Sequence, residues 1–313
     1  MMFIFMKYRW ISLFFSLFAL NYAFSQDLDP KEAKILQNEY GEIVYGNKQF
    51  PIIAFFQQDS LKYIYSEQKR KVAILGKNNT ILKEIRFSSK DFTIPRFQPY
   101  GNGKIILQNC GLDSDYILIE KQTLTAKNRN FLKKSKLIGF KEVENGLFQV
   151  HQYFITPSKT LSKVILYNRN KKIDTLYKDT KTRENRSVNV SPRFDLLYFR
   201  DKVYFFNADQ RIILIFEAQT AKLLQEIDLK LQADEYLKSF MLNFYIDFTT
   251  ERIYLSGVMG GKTYIWEIKE NNFIERYEVP FQIYLIHQIC NDKIYFSLQA
   301  EKDGLYVYER KFR

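Results

Sequence analysis

The sequence predicts an all-β protein, and within that class a six-bladed β-propeller with four-stranded antiparallel blades. Three observations carry this. First, one apolar strand recurs in a polar frame: KVAILG from Lys71, DYILIE from Asp115, KVILYN from Lys163, RIILIF from Arg211, KTYIWE from Lys262 and GLYVYE from Gly304. Its starts lie 44, 48, 48, 51 and 42 residues apart, a blade-length period. Second, companion strands flank each copy, which gives four strands per period. Third, 28 Phe and 22 Tyr contribute to a 17% aromatic content that suits pleated, half-buried surfaces.

The recurrent strand is strand c of each unit. Strand b precedes it: LKYIY from Leu61, GKIIL from Gly103, GLFQV from Gly146, DKVYF from Asp201, ERIYL from Glu251 and DKIYF from Asp292. A further apolar run and a short polar turn stand before most of these, as in NFYIDFTTERIYL from Asn243 and YLIHQICNDKIYF from Tyr284. Strand d follows strand c through turns such as Lys77-Asn78-Asn79: ILKEIRF from Ile81, KIDTLYKD from Lys172, KLLQEIDL from Lys222 and FIERYEVP from Phe273. The last unit stops after strand c. Glu42 to Gly46 (EIVYG) is a spare strand before the first unit, placed to complete the last blade and close the ring, leaving no open sheet edge. Pro30 to Asn38 is expected to form one or two helical turns.

Two rival β architectures fit less well. An outer-membrane barrel would show alternating segments of about 10 residues with no higher period. Two packed β-sandwiches would not need a repeat of four strands.

Residues 1–25 read as a secretory signal peptide. Lys7 and Arg9 form a basic start, Trp10 to Leu20 an apolar run, and Ala23-Phe24-Ser25 a cleavage site, with Gln26 as the first mature residue. The run is too short to span a bilayer on its own. Residues 26–313 are then a single propeller domain, exported to the periplasm or the exterior. Removal of the peptide leaves 45 basic against 35 acidic residues, a net charge of +10. Such a charge suits anionic glycans or acidic envelope proteins as partners, and the export signal argues against nucleic acid. The chain is expected to act as a monomer. The two cysteines, Cys110 and Cys290, fall in blades two and six with blade one between, so both are expected as free thiols.

KVYFFNADQRIILIFEAQTAKLLQEIDL, from Lys202, resembles the NHL-repeat type and its six-bladed, lactonase-like and TolB-like relatives, and Ser66 to Ile85 echoes it. The resemblance implies a fold and no activity, since propellers host many functions. The lactonase-like members imply one alternative, a metal-assisted hydrolase holding Ca²⁺ or Zn²⁺ with carboxylates and Asn at the channel mouth. The b–c loops point there, and they carry Asp113, Asp115, Asn207, Asp209, Glu301 and Asp303. Such oxygen ligands suit a hard cation. Turns also favour Asp and Asn for conformational reasons alone.

Other chemistry is sparse. There is no G-x-S-x-G, H-E-x-x-H, P-loop or C-x-x-C pattern. His151 and His287, the only histidines, stand in apolar strands and read as core residues. Gly260-Gly261 reads as a turn. The most distinctive segment is Thr180 to Arg193, expected as a long polar loop between blades three and four on the face of the b–c loops. Its Lys181, Arg183 and Arg186 are the ligand-binding candidates, since rigid scaffolds tend to carry binding in such loops. The expected function is binding or scaffolding in the envelope.

Overall fold

The computed structural model describes residues 30–47, 50–86, 95–100, 103–109, 115–120, 125–130, 139–144, 147–155, 159–168, 171–182, 194–208, 211–229, 243–269, 274–298 and 306–313. The signal-peptide reading of residues 1–25 and Cys110 lie outside them. These residues divide into two units: one runs to Ser89 and adds Tyr284–Gln288 and Ile294–Lys311; the other takes Lys90–Ile283, Ile289–Lys293 and Phe312–Arg313.

Five sheets each use four consecutive antiparallel strands. The first holds β2 (Ala54–Gln58), β3 (Leu61–Ser66), β4 (Lys71–Leu75) and β5 (Ile81–Arg86). The second holds β6 (Pro95–Tyr100), β7 (Lys104–Asn109), β8 (Asp115–Glu120) and β9 (Thr125–Asn130). The third holds β10 (Gly139–Glu144), β11 (Leu147–Ile155), β12 (Lys159–Asn168) and β13 (Lys171–Thr182). The fourth holds β14 (Phe194–Phe199), β15 (Lys202–Asn207), β16 (Ile212–Glu217) and β17 (Leu223–Asp228). The fifth holds β18 (Asn243–Ile246), β19 (Ile253–Met259), β20 (Lys262–Ile268) and β21 (Ile274–Val279). A sixth sheet is composite. In it β1 (Glu42–Gly46) pairs with β24 (Tyr306–Lys311), followed by β23 (Lys293–Ser297) and β22 (Leu285–Cys290).

The burial gradient within a sheet explains the repeat. Strands b and c are buried on both faces: β4, β15 and β16 each bury four or more successive residues. Strand d is largely exposed, as in β5 and β17. A strand covered on both faces cannot alternate, and therefore reads as an apolar run. In the larger unit the fourth and fifth sheets share one core. Leu197, Phe206, Ile213 and Ile215 pack with Phe244, Leu255 and Trp266. The rings of Phe206 and Phe244 stack at 5.6 Å. Full burial of one such side chain stabilises by about 1.5–3 kcal/mol. In the smaller unit Phe55 stacks on Tyr295 at 5.6 Å.

Three tight hairpins use two-residue turns with positive φ at both positions, the geometry that matches strand twist. Arg200-Asp201 and Asn291-Asp292 make two of them. Gly260-Gly261 makes another, with Met259 paired to Lys262 across it. This pair is a turn, as its sequence suggests.

Two expectations need correction. The helix α1 (Pro30–Tyr40) has eleven residues, three turns instead of one or two. Its proline stands at the first position, where the missing N–H costs nothing. Tyr40 packs edge-on against Tyr308, and Arg310 donates to the Glu39 carbonyl at 3.2 Å. Thr180–Thr182, expected in a loop, are strand, and residues 183–193 lie outside the described residues. Thr180, Lys181 and Thr182 continue β13 opposite Leu161, Thr160 and Lys159. The polar residues misled, because β-branched Thr suits a strand as well as a turn.

The spare strand sits where the sequence puts it. Glu42 pairs with Glu309 and Gly46 with Tyr306. From β3, Lys62 donates to the Val44 carbonyl at 2.9 Å and to Asn79 Oδ1 at 2.8 Å. Burial lowers the Lys62 pKa, against the pull of the Glu42 and Glu309 carboxylates.

Candidate functional site

The clearest polar convergence lies at the starts of three first strands in the larger unit. Arg96 is the second residue of β6, Asp195 the second of β14, and Phe244 the second of β18. Arg96 donates from one terminal nitrogen to Asp195 Oδ2 at 2.8 Å and to the Phe244 carbonyl at 2.9 Å. Its guanidinium lies 4.8 Å from the centre of the Tyr245 ring. The side chains of Arg96 and Asp195 keep 16% and 14% of their exposure, so the pair is mostly dehydrated yet reachable. One arginine thus ties the leading strands of the second, fourth and fifth sheets.

The local sequence accounts for this placement. Arg96 sits in PRFQPY, whose two prolines limit ladder bonding and suit a strand with a free side. Asp195 sits in FDLLYF, two residues before the buried Leu197 and therefore on the same face of the strand. A charge in such an apolar strand needs a partner, and each supplies the other's. Arg96 can hold an anion but cannot transfer a proton, since a guanidinium stays charged. An incoming carboxylate, sulfate or phosphate could replace Asp195 on the fork.

The sequence-derived candidates do not assemble here. Lys181 stands in β13, and Arg183 and Arg186 lie outside the described residues. Asp115 starts β8 opposite Asn130. Asn207 ends β15 and is buried, 1% exposed, with its carbonyl accepting from the Arg211 N–H at 2.7 Å. Asp113, Asp209, Glu301 and Asp303 lie outside the described residues. Among the described residues no three His, Cys, Asp or Glu side chains meet as a metal site.

His287 and Ser297 form a contact that resembles a catalytic pair, with Nε2 and Oγ 2.8 Å apart. The Ser297 hydroxyl donates to the Tyr306 carbonyl at 3.0 Å. Its single proton is therefore committed, and His287 Nε2 must be the donor. No base remains at Nε2 to activate that hydroxyl. Both side chains are buried, in keeping with a packed core histidine. Cys290 is a free thiol whose pKa burial raises, so it is a poor nucleophile.

No protein-family model matches the sequence, and no curated protein matches it. Solved structures do. The β-propeller domain of Cps50 (Swd1) from Myceliophteria thermophila has a TM-score of 0.50 at 11% identity, over 85% of this chain and 98% of that one. The likeness shows the fold alone: this chain is an all-β propeller with four-stranded antiparallel blades. Streptogramin B lyase matches at 14% identity and TM-score 0.46, over 84% of this chain and 85% of that one. Regucalcin from Agrobacterium tumefaciens, a calcium-binding protein, matches at 12% identity and TM-score 0.44, over 85% of this chain and 95% of that one. Both stop below a TM-score of 0.5, and nothing concerning function rests on them.

Sequence reasoning did not find Arg96 and Asp195. The available signal was a single charge at the second position of two otherwise uncharged first strands, 99 residues apart.

Proposed function

We propose that the chain is an exported binding propeller: residues 1–25 are removed, and residues 26–313 form one six-bladed ring closed by β1. Its partner is an acidic envelope glycan, bound on the face where first strands begin. One observation carries the reading. Arg96 is brought to that face by β6 and is held, still reachable, between Asp195, the Phe244 carbonyl and Tyr245. The mature charge of +10 supports it, as does the length of β11, β12 and β13, which carry Lys181 and lead into Arg183 and Arg186. Exposed ion pairs are worth about 0–1 kcal/mol each, so several cations must act together.

Two measurements test this. Intact mass of the exported protein should begin at Gln26; a mass that retains residues 1–25 would reject cleavage. Binding to an acidic polysaccharide should weaken steeply with salt, as the Debye length falls from about 10 Å at 0.1 M to 3 Å at 1 M. It should weaken further in a Lys181/Arg183/Arg186→Ala variant and in Arg96→Gln. Equal, salt-independent binding by all three proteins would reject the site. Retention of an acidic protein but no glycan would reject the glycan.

A further inference from the structure

A second built site lies on the fifth sheet, and it is already filled. Residues Phe312 and Arg313 follow β24. The Phe312 ring enters between two tyrosines, edge-on to Tyr254 at 5.7 Å and to Tyr277 at 5.1 Å between centres. Its N–H donates to the Asp292 carbonyl at 3.1 Å. Arg313 donates to Glu267 Oε2 at 3.1 Å, and its guanidinium lies 3.8 Å from both Glu275 Oε2 and Asp292 Oδ1.

The receiving groups are organised independently of the segment. Glu267 is 7% exposed at its side chain, and accepts from the Tyr277 hydroxyl at 3.3 Å. Asp292 is held by Arg252 at 2.7 Å, and Glu275 by Lys269. Tyr254 is fully buried. The result is a slot with aromatic walls, three carboxylates at one end and a backbone carbonyl acceptor. An aromatic ring followed by a guanidinium matches it in shape, charge and hydrogen bonding.

We propose that this slot is a recognition site for an aromatic–arginine peptide segment, which Phe312–Arg313 occupies in cis. It shares no residue with the Arg96 site, although Tyr254 stands opposite Tyr245 across the β18–β19 ladder, and it does not depend on the reading given to that site. A buried carboxylate that meets arginine on one side and tyrosine on the other is a costly arrangement to leave empty. The slot therefore selects for its occupant, and a segment of the same chemistry can enter when the resident side chains are gone.

The test uses the whole chain with the slot emptied, Phe312→Ala/Arg313→Ala, and a blocked Arg-Lys-Phe-Arg peptide. The emptied chain should bind the peptide at least about tenfold more tightly than the wild type, in which the resident residues compete. Its Tm should rise with peptide concentration, since a ligand that binds only the folded state stabilises it. A peptide with Ala in place of Phe and the final Arg should do neither, and Glu267→Gln in the emptied chain should abolish the effect. Equal binding by both chains, or equal binding of both peptides, overturns the proposal. If the emptied chain does not fold, Arg313→Ala, Glu267→Gln and their combination serve instead. The combined fall in Tm should be smaller than the two single falls together, and full additivity overturns the proposal.

Discussion

The side-chain amide of Gln288 pairs with both backbone groups of Gln57. It accepts from the Gln57 N–H at 2.8 Å and donates to the Gln57 carbonyl at 2.9 Å. A side chain on β22 thus stands in for a neighbouring strand along β2. The two residues are 231 positions apart, so this contact joins the first sheet to the composite one.

The asymmetry of that contact makes a sharp prediction. Gln288→Leu strands two polar backbone groups and should cost about 2–3 kcal/mol, read as a lower urea midpoint with an unchanged slope. Gln57→Met should be neutral or slightly stabilising. Gln57 contributes only its backbone to the pair, and its own Oε1 is buried with no hydrogen-bond partner among the described residues. Equal losses in both variants would refute this description.

Arg96 and Asp195 should behave as a coupled pair. Arg96→Met leaves Asp195 and the Phe244 carbonyl without that donor, and should cost about 3 kcal/mol. Combining it with Asp195→Leu should recover part of the loss, with a coupling energy of about 1–3 kcal/mol in a double-mutant cycle. Arg96→Lys should not rescue, because a single ammonium cannot reproduce the planar contact with Tyr245. Additive losses would show that the two side chains act separately.

Deleting residues 26–47 should expose the outer edge of β24. We expect aggregation or loss of cooperative unfolding, because an unpaired edge is a template for other chains. Light scattering and thermal melting decide it. A truncated chain that stays monomeric with unchanged melting would show that β1 is dispensable.

Alkaline unfolding should be governed by buried tyrosines. Burial pushes the hydroxyls of Tyr63, Tyr204 and Tyr254 up to about 12, and Tyr45 higher still. A raised pKa means that the folded state favours the neutral phenol. Their contribution is complete below the ordinary value of 10 and is lost as pH rises through about 12. Tyrosinate absorbance should therefore climb in two phases, the second coinciding with loss of the fold. A single reversible phase near pH 10 with the fold intact would contradict this.

Much of the fold was legible because strands b and c are covered on both faces, and uninterrupted runs such as Ile213–Phe216 advertise that coverage. Strand d was readable from its place after a turn. The β13 boundary was not, since Thr180 and Thr182 satisfy a strand and a loop equally well. The Arg96 site was hidden for a different reason. Its members come from three sheets, and only tertiary packing makes neighbours of positions 96, 195 and 244. A local pattern cannot encode a contact that spans a hundred residues, whereas a lone charge in an apolar strand marks where to look.

The pairing of Glu42 with Glu309 also sets a timetable. Its partners stand 267 positions apart, and closing so long a chain segment carries a length-dependent entropy cost of about 5 kcal/mol. The five contiguous sheets can each form from residues near one another, but the composite sheet must wait for β1 to meet β24. Refolding should accordingly be slow and finish there. Until it does, α1 and β1 remain without their β24 partner, and the unfinished molecule presents a bare strand edge to its neighbours.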